Sequence, residues 1–93
     1  MAKKIIWSKS AHIDRFLILD YWFQRNNSKD YSKYLNKSFE RAIDLISLYP
    51  YIGICTNMPN IRIKIVGKYY ITYEIKDSSV VILRIIDTRR EKL

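Results

Sequence analysis

The apolar residues of this chain keep a helical period as far as Tyr49 and an alternating one from Ile61 onward, with Pro50 standing between the two regimes. A change of period at a proline separates a helical part from a sheet part. Ser8 or Ser10 can accept backbone hydrogen bonds at the start of a first helix that runs to about Gln24. Apolar residues fall on it at Ala11, Ile18 and Trp22, and Ile13, Phe16, Leu17, Leu19, Tyr21 and Phe23 add a second flank. Titratable side chains interrupt only at His12, Asp14, Arg15 and Asp20. A helix with apolar surface on two sides needs two things to pack against, one of which is its own sheet. The other is a neighbouring helix or a partner chain.

Arg25-Asn26-Asn27-Ser28 is a polar break, with Ser28 as a second cap. The next helix runs to about Tyr49 through Tyr31, Leu35, Ser38, Ala42, Leu45 and Tyr49, in steps of three and four. Lys29, Lys33, Lys37 and Arg41 form a ladder elsewhere on the cylinder, as a solvated face does. A short polar turn between two such helices predicts an antiparallel hairpin.

After a loop from Pro50 to Asn60, Ile61, Ile63 and Ile65 alternate with Arg62 and Lys64. Gly67-Lys68 makes a turn, and a second strand follows from Tyr69 to Ile75. Asp77-Ser78-Ser79 turns again into Val80–Ile86, whose nearly continuous apolar run marks a central strand. Ile5-Ile6-Trp7 supplies an additional edge strand. The predicted fold class is α+β: an N-terminal helical hairpin packed on a small, mainly antiparallel sheet of three to four strands. At 93 residues, one domain spanning 1–93 is expected.

Composition narrows the functional classes. Lys and Arg outnumber Asp and Glu by 17 to 9, a net charge of +8, while a hydrophobic content of 48% excludes a disordered basic tail. Cys55 stands alone, so neither an internal disulfide nor a thiolate zinc cage forms. With no metal-ligand spacing and no Gly-rich phosphate loop, neither metal nor cofactor is expected. Ile5–Trp7 is too short for a signal-peptide core. The uncharged stretch Leu45–Ile61 is broken by Pro50, Gly53, Asn57, Pro59 and Asn60, so no membrane helix is expected and the cytoplasm is the expected compartment. The charge directs the chain toward nucleic acid or an acidic protein rather than a bilayer.

With Ile61, Ile63 and Ile65 assigned to the helices, the opposite sheet face would carry Arg62, Lys64, Tyr70, Thr72, Glu74, Ile82 and Arg84, with Arg89 and Arg90 following. Five cations would then converge there: Arg62, Lys64, Arg84, Arg89 and Arg90. Such a cluster binds phosphates and stabilises a phosphorane-like transition state. The same alternation equally describes an ordinary solvated face. His12 reads as a surface or capping residue, and Glu74 as a salt-bridge partner before a general base. No nucleophilic role falls to Cys55, and Tyr69 and Tyr73 read as core.

Ile6-Trp7-Ser8 with Ala11 and Asp14, Leu45-Ile46 through Pro50 and Gly53, Ile61-Arg62, Tyr70–Ile75, Val80–Ile86 and Asp87-Thr88-Arg89-Arg90 follow one another across nearly the whole chain. In this order and spacing they resemble the RelE/ParE superfamily of toxins from bacterial type II toxin–antitoxin systems. The resemblance implies an acidic antitoxin that wraps the toxin and contacts the hairpin at Ile18, Tyr21 and Trp22. It also implies contact with operator DNA only through that antitoxin.

Two branches with different mechanisms are implied. RelE-like members are ribosome-dependent mRNA endoribonucleases, for which Arg62, Lys64 and Arg90 would be the catalytic cations. ParE-like members bind and poison DNA gyrase without chemistry of their own. In either branch the target-binding residues would be Arg62, Lys64, Tyr70, Arg84, Arg89 and Arg90. Tyr70 stands where RelE has an arginine, and the tail Arg89–Leu93 carries no Tyr or His to serve as acid or base. The long hairpin, the Pro50–Gly53 loop and the Arg89-Arg90 pair look more like ParE, the branch favoured here.

Overall fold

A computed structural model describes residues 2–89. Strand β1 (Lys4–Trp7) leads into helices α1 (Lys9–Asn26) and α2 (Asp30–Leu48). A 3-10 turn (Pro50–Ile52) follows, then strands β2 (Ile54–Cys55), β3 (Ile61–Val66), β4 (Tyr69–Ile75) and β5 (Ser79–Asp87). Ser8 caps α1, its hydroxyl accepting the Ala11 N–H at 3.0 Å. Asn27 closes that helix in the left-handed conformation (φ 50°), which asparagine tolerates better than most residues. Ser28 accepts the Asp30 N–H at 3.2 Å, just ahead of α2.

The sheet has five strands in the order β1-β5-β4-β3-β2, one more than the upper expectation. The extra strand is the two-residue β2, drawn from the loop after Pro50 and paired antiparallel with Ile63 and Arg62. Only the β1–β5 pair is parallel. β5 is interior, as its apolar run predicts, flanked by β1 and β4.

Both helices lie on one side of the sheet. α1 reaches Tyr69 through the indole N–H of Trp22, 2.8 Å from the phenol oxygen, and α2 reaches the same ring edge-on through Phe39. The core between them holds Leu35, Phe39, Ala42, Ile43 and Ile46 of α2 and Ala11 of α1, over Tyr69, Ile71, Tyr73, Ile75, Val80, Ile82 and Ile85. Burying a side chain of this size stabilises by about 1.5–3 kcal/mol, so α2 supplies most of the helical contribution.

The expected orientation of β3 is reversed. Arg62 lies opposite Tyr73 and Lys64 opposite Ile71, and both partners are fully buried beneath the helices. Arg62, Lys64 and Val66 are therefore on the helix side, whereas Ile61, Ile63 and Ile65 share the open side with Tyr70, Thr72 and Glu74. The register follows from Gly67, whose φ of +59° sits at the first position of the two-residue hairpin turn. It is then fixed by β4, where Tyr69, Ile71, Tyr73 and Ile75 are all buried. Arg62 and Lys64 are half-buried on the helix side, as long aliphatic stems allow for a charged side chain beside a core.

Candidate functional site

The reversal of β3 separates the residues expected to converge. Arg62 turns back onto the loop before β2, donating through Nη1 to the carbonyls of Tyr51 (2.9 Å) and Gly53 (3.0 Å). Its guanidinium stacks 5.0 Å from the centre of the Tyr51 ring. Tyr73 fixes the same loop from beneath, its hydroxyl donating to Pro50 O (2.7 Å) and accepting the Gly53 N–H (2.9 Å). Lys64 is half-buried and makes no hydrogen bond or ion pair among the described residues. Tyr70 lies on the open face, between Ile65 and Ile86.

Arg84 is held at the edge of β5. Its register partner is Thr72, and a bulge at this point leaves Leu83 without a partner on β4. The Arg84 guanidinium donates to both Asp14 oxygens, at 2.7 and 3.2 Å. Asp14 also accepts the Ile85 N–H at 3.0 Å, closing the β5 edge where β1 has ended. The hydroxyl of Ser8 donates to Leu83 O at 2.9 Å, so the start of α1 is tied to the bulge. The roles of Asp14 and Ser8 at this edge depend on tertiary neighbours and leave no sequence signal beyond the helix cap.

The residues that do come together form a groove of about 510 Å³ between α1 and the end of β5, lined by Leu17, Ile18, Tyr21, Tyr69, Asp87 and Arg89. Helical spacing brings Leu17, Ile18 and Tyr21 to its wall, and Trp22 supports its floor through Tyr69. Burial raises the pKa of the Tyr69 hydroxyl, with the Trp22 hydrogen bond acting in the opposite direction and the Asp87 charge reinforcing the rise. Arg89 grips Asp87 at 2.9 and 3.2 Å, and that hydrogen-bonded contact raises the guanidinium pKa further. The groove thus unites the expected antitoxin contacts Ile18, Tyr21 and Trp22 with Arg89. Arg90 lies outside the described residues. Leu17, which lines the groove and is 57% exposed, is marked in the sequence only as part of the second apolar flank of α1.

A second groove runs over the hairpin between α1 and α2. Phe16, Leu19 and Phe23 form its apolar floor, and Lys29 and Lys33 stand on its rim. Phe16 is 66% exposed. Together the two grooves leave α1 apolar and uncovered on the sides its composition marks.

Residues 5–92 match the family described as the ParE toxin of the type II toxin–antitoxin system parDE. Among solved structures, the chromosomal ParDE toxin–antitoxin system from P. aeruginosa superposes with a TM-score of 0.77 at 14% identity, over 92% of this chain and 96% of that one. A YoeB dimer from Staphylococcus aureus gives a TM-score of 0.64 at 15% identity, over 92% and 97% of the two chains. No curated protein matches the chain.

Proposed function

The chain belongs to the ParE toxin family of type II toxin–antitoxin systems, and from that premise we propose that it stops growth by binding and poisoning DNA gyrase, while its cognate antitoxin seats on α1. The observation that supports binding over RNA cleavage is where the cationic heads go. Arg62 is hydrogen-bonded to two loop carbonyls, Arg84 to Asp14 and Arg89 to Asp87. Arg62 and Lys64 lie across the sheet from Tyr70. Phosphate cleavage needs several donors converging on one oxyanion and a group able to take a proton. The sole histidine, His12, is exposed in the first turn of α1, away from β3.

For the antitoxin, the groove at Leu17, Ile18 and Tyr21 offers apolar anchors beside the Arg89–Asp87 pair, in a molecule of charge +8. An acidic segment with apolar side chains fits both features.

The test is to induce the chain without its antitoxin and follow labelled thymidine and labelled amino acid over the first minutes. Thymidine incorporation is expected to stop first while translation continues. Earlier arrest of translation would replace this reading with ribosome-dependent mRNA cleavage.

A further inference from the structure

The open face of the sheet is the least expected surface of the molecule. An antiparallel sheet with one solvated face ordinarily directs polar residues outward. Here the outward positions include Ile6 of β1, Ile54 of β2, Ile61, Ile63 and Ile65 of β3, and Val81 and Ile86 of β5, beside Lys4, Tyr70, Thr72, Glu74 and Arg84. Ile54 and Ile65 are 57% and 47% exposed. Both helices occupy the other side, so among the described residues no element covers this face.

Charge decides what the face can receive. The molecule carries +8, and two copies meeting through ordinary surface would oppose lysine to lysine. The open face avoids this. Its charged side chains are Glu74, whose carboxylate is 4.0 Å from the Lys76 ammonium, Arg84, paired with Asp14, and Lys4 at the β1 margin opposite Ser79. Between them lies an uncharged field of isoleucine, valine, Tyr70 and Thr72. The groove between α1 and α2 differs, since Lys29 and Lys33 outnumber Asp20 in its lining and favour an acidic partner.

We propose that the open sheet face is a self-association surface, by which two copies of this chain pack isoleucine face against isoleucine face about a two-fold axis. Such an isologous contact places the same neutral patch on both partners. Strand spacing and rise make the face about 20 Å by 20 Å, roughly 400 Å² of projected area per copy. That is about half the area per partner of a standard specific interface, so the association is weak and transient rather than permanent. It leaves α1 free for the antitoxin and does not depend on which process the toxin stops.

The experiment is sedimentation velocity on the purified full chain from about 2 to about 200 µM. The weight-average mass is expected to rise from one chain of 11.2 kDa toward two. Raising the salt should strengthen association, because screening relieves the repulsion between like-charged copies. Ile63→Lys and Ile65→Lys should each abolish it, whereas Leu17→Lys, which adds the same charge on α1, should not. Ile65 is exposed enough that its variant folds even should the half-buried Ile63 prove less tolerant. A single-chain mass at every concentration would overturn the proposal. So would association that weakens with salt, or that Leu17→Lys abolishes while the isoleucine variants retain it.

Discussion

Gly53 shows how a single residue joins the loop to the sheet. Its φ is −74°, so no left-handed backbone requires glycine there. Space does: a Cβ at this position would lie 2.9 Å from the Ile63 carbonyl oxygen and 3.0 Å from Cε1 of Tyr73, with the Tyr73 hydroxyl closer still at 2.5 Å. Gly53→Ala should therefore cost about 1–3 kcal/mol in urea unfolding, the usual penalty for overpacking. Tyr73→Phe should only partly relieve it, since the Ile63 carbonyl belongs to the ladder and cannot retreat. Tyr73 and Tyr69 also make a prediction about pH. Burial raises both phenol pKa values above 10.0 in the folded chain, so the native state holds these protons more tightly than the unfolded one. Their contribution to stability is complete below about pH 10 and is lost as pH rises from there through the folded values. Unfolding free energy measured between pH 9 and pH 11 should fall as pH rises. Tyr73→Phe should make that slope shallower, although it lowers stability throughout by deleting two hydrogen bonds. An unchanged slope would contradict the argument.

At the scale of elements, α1 is held mainly by its ends and edges. Ala11 is its only fully buried residue, while Ser8 caps it and bonds to Leu83, and Asp14 closes the β5 edge. Ser8→Ala deletes the cap and the link to the bulge together. It should lower stability by about 1–2 kcal/mol, more than an exposed cap is worth, as read from thermal or urea unfolding. A loss of only a few tenths would mean that the Leu83 contact adds nothing.

The helices, their hairpin and the bounds of β1, β3, β4 and β5 were legible in the sequence because caps, Pro50 and the change of period are local signals, whereas the two-residue β2 lay inside the expected loop. The facing of β3 was not. Ile-Arg-Ile-Lys-Ile-Val alternates equally well in either orientation, and the long stems of Arg62 and Lys64 let cations occupy the inner face near the sheet margin. Because convergence is a property of register, the reversed β3 also parts Arg62 and Lys64 from Arg84. The apolar excess of α1 was legible in its composition, and it places Ile18 and Tyr21 on the groove wall with Trp22 beneath it through Tyr69.

The whole molecule combines a charge of +8 with apolar grooves open along α1 and an isoleucine face open on the sheet. A domain of this size buries only about 60–65% of the surface its unfolded chain exposes, so uncovered apolar area weighs heavily on its stability. A ligand that binds only the folded state adds RT ln(1 + [L]/Kd), about 2.7 kcal/mol at a hundredfold excess over Kd. For a chain of this length each kcal/mol shifts the melting temperature by about 4–8 °C. The cognate antitoxin at that excess should therefore raise Tm by roughly 10–20 °C. Because an acidic segment is steered by the toxin's charge, its association rate should also fall as salt rises, whereas dissociation, governed by the apolar anchors, should change little. Leu17→Lys and Tyr21→Lys alter the anchors and add positive charge. They should speed dissociation and shrink the Tm gain, Leu17→Lys without lowering the stability of the free toxin because its side chain is 57% exposed, and Tyr21→Lys at the added loss of the Tyr21–Trp22 edge contact. An antitoxin that left Tm unchanged at that excess would mean that it does not bind the folded toxin preferentially, and one that released both variants as slowly as the parent would mean that it neutralises the toxin from some surface other than this groove.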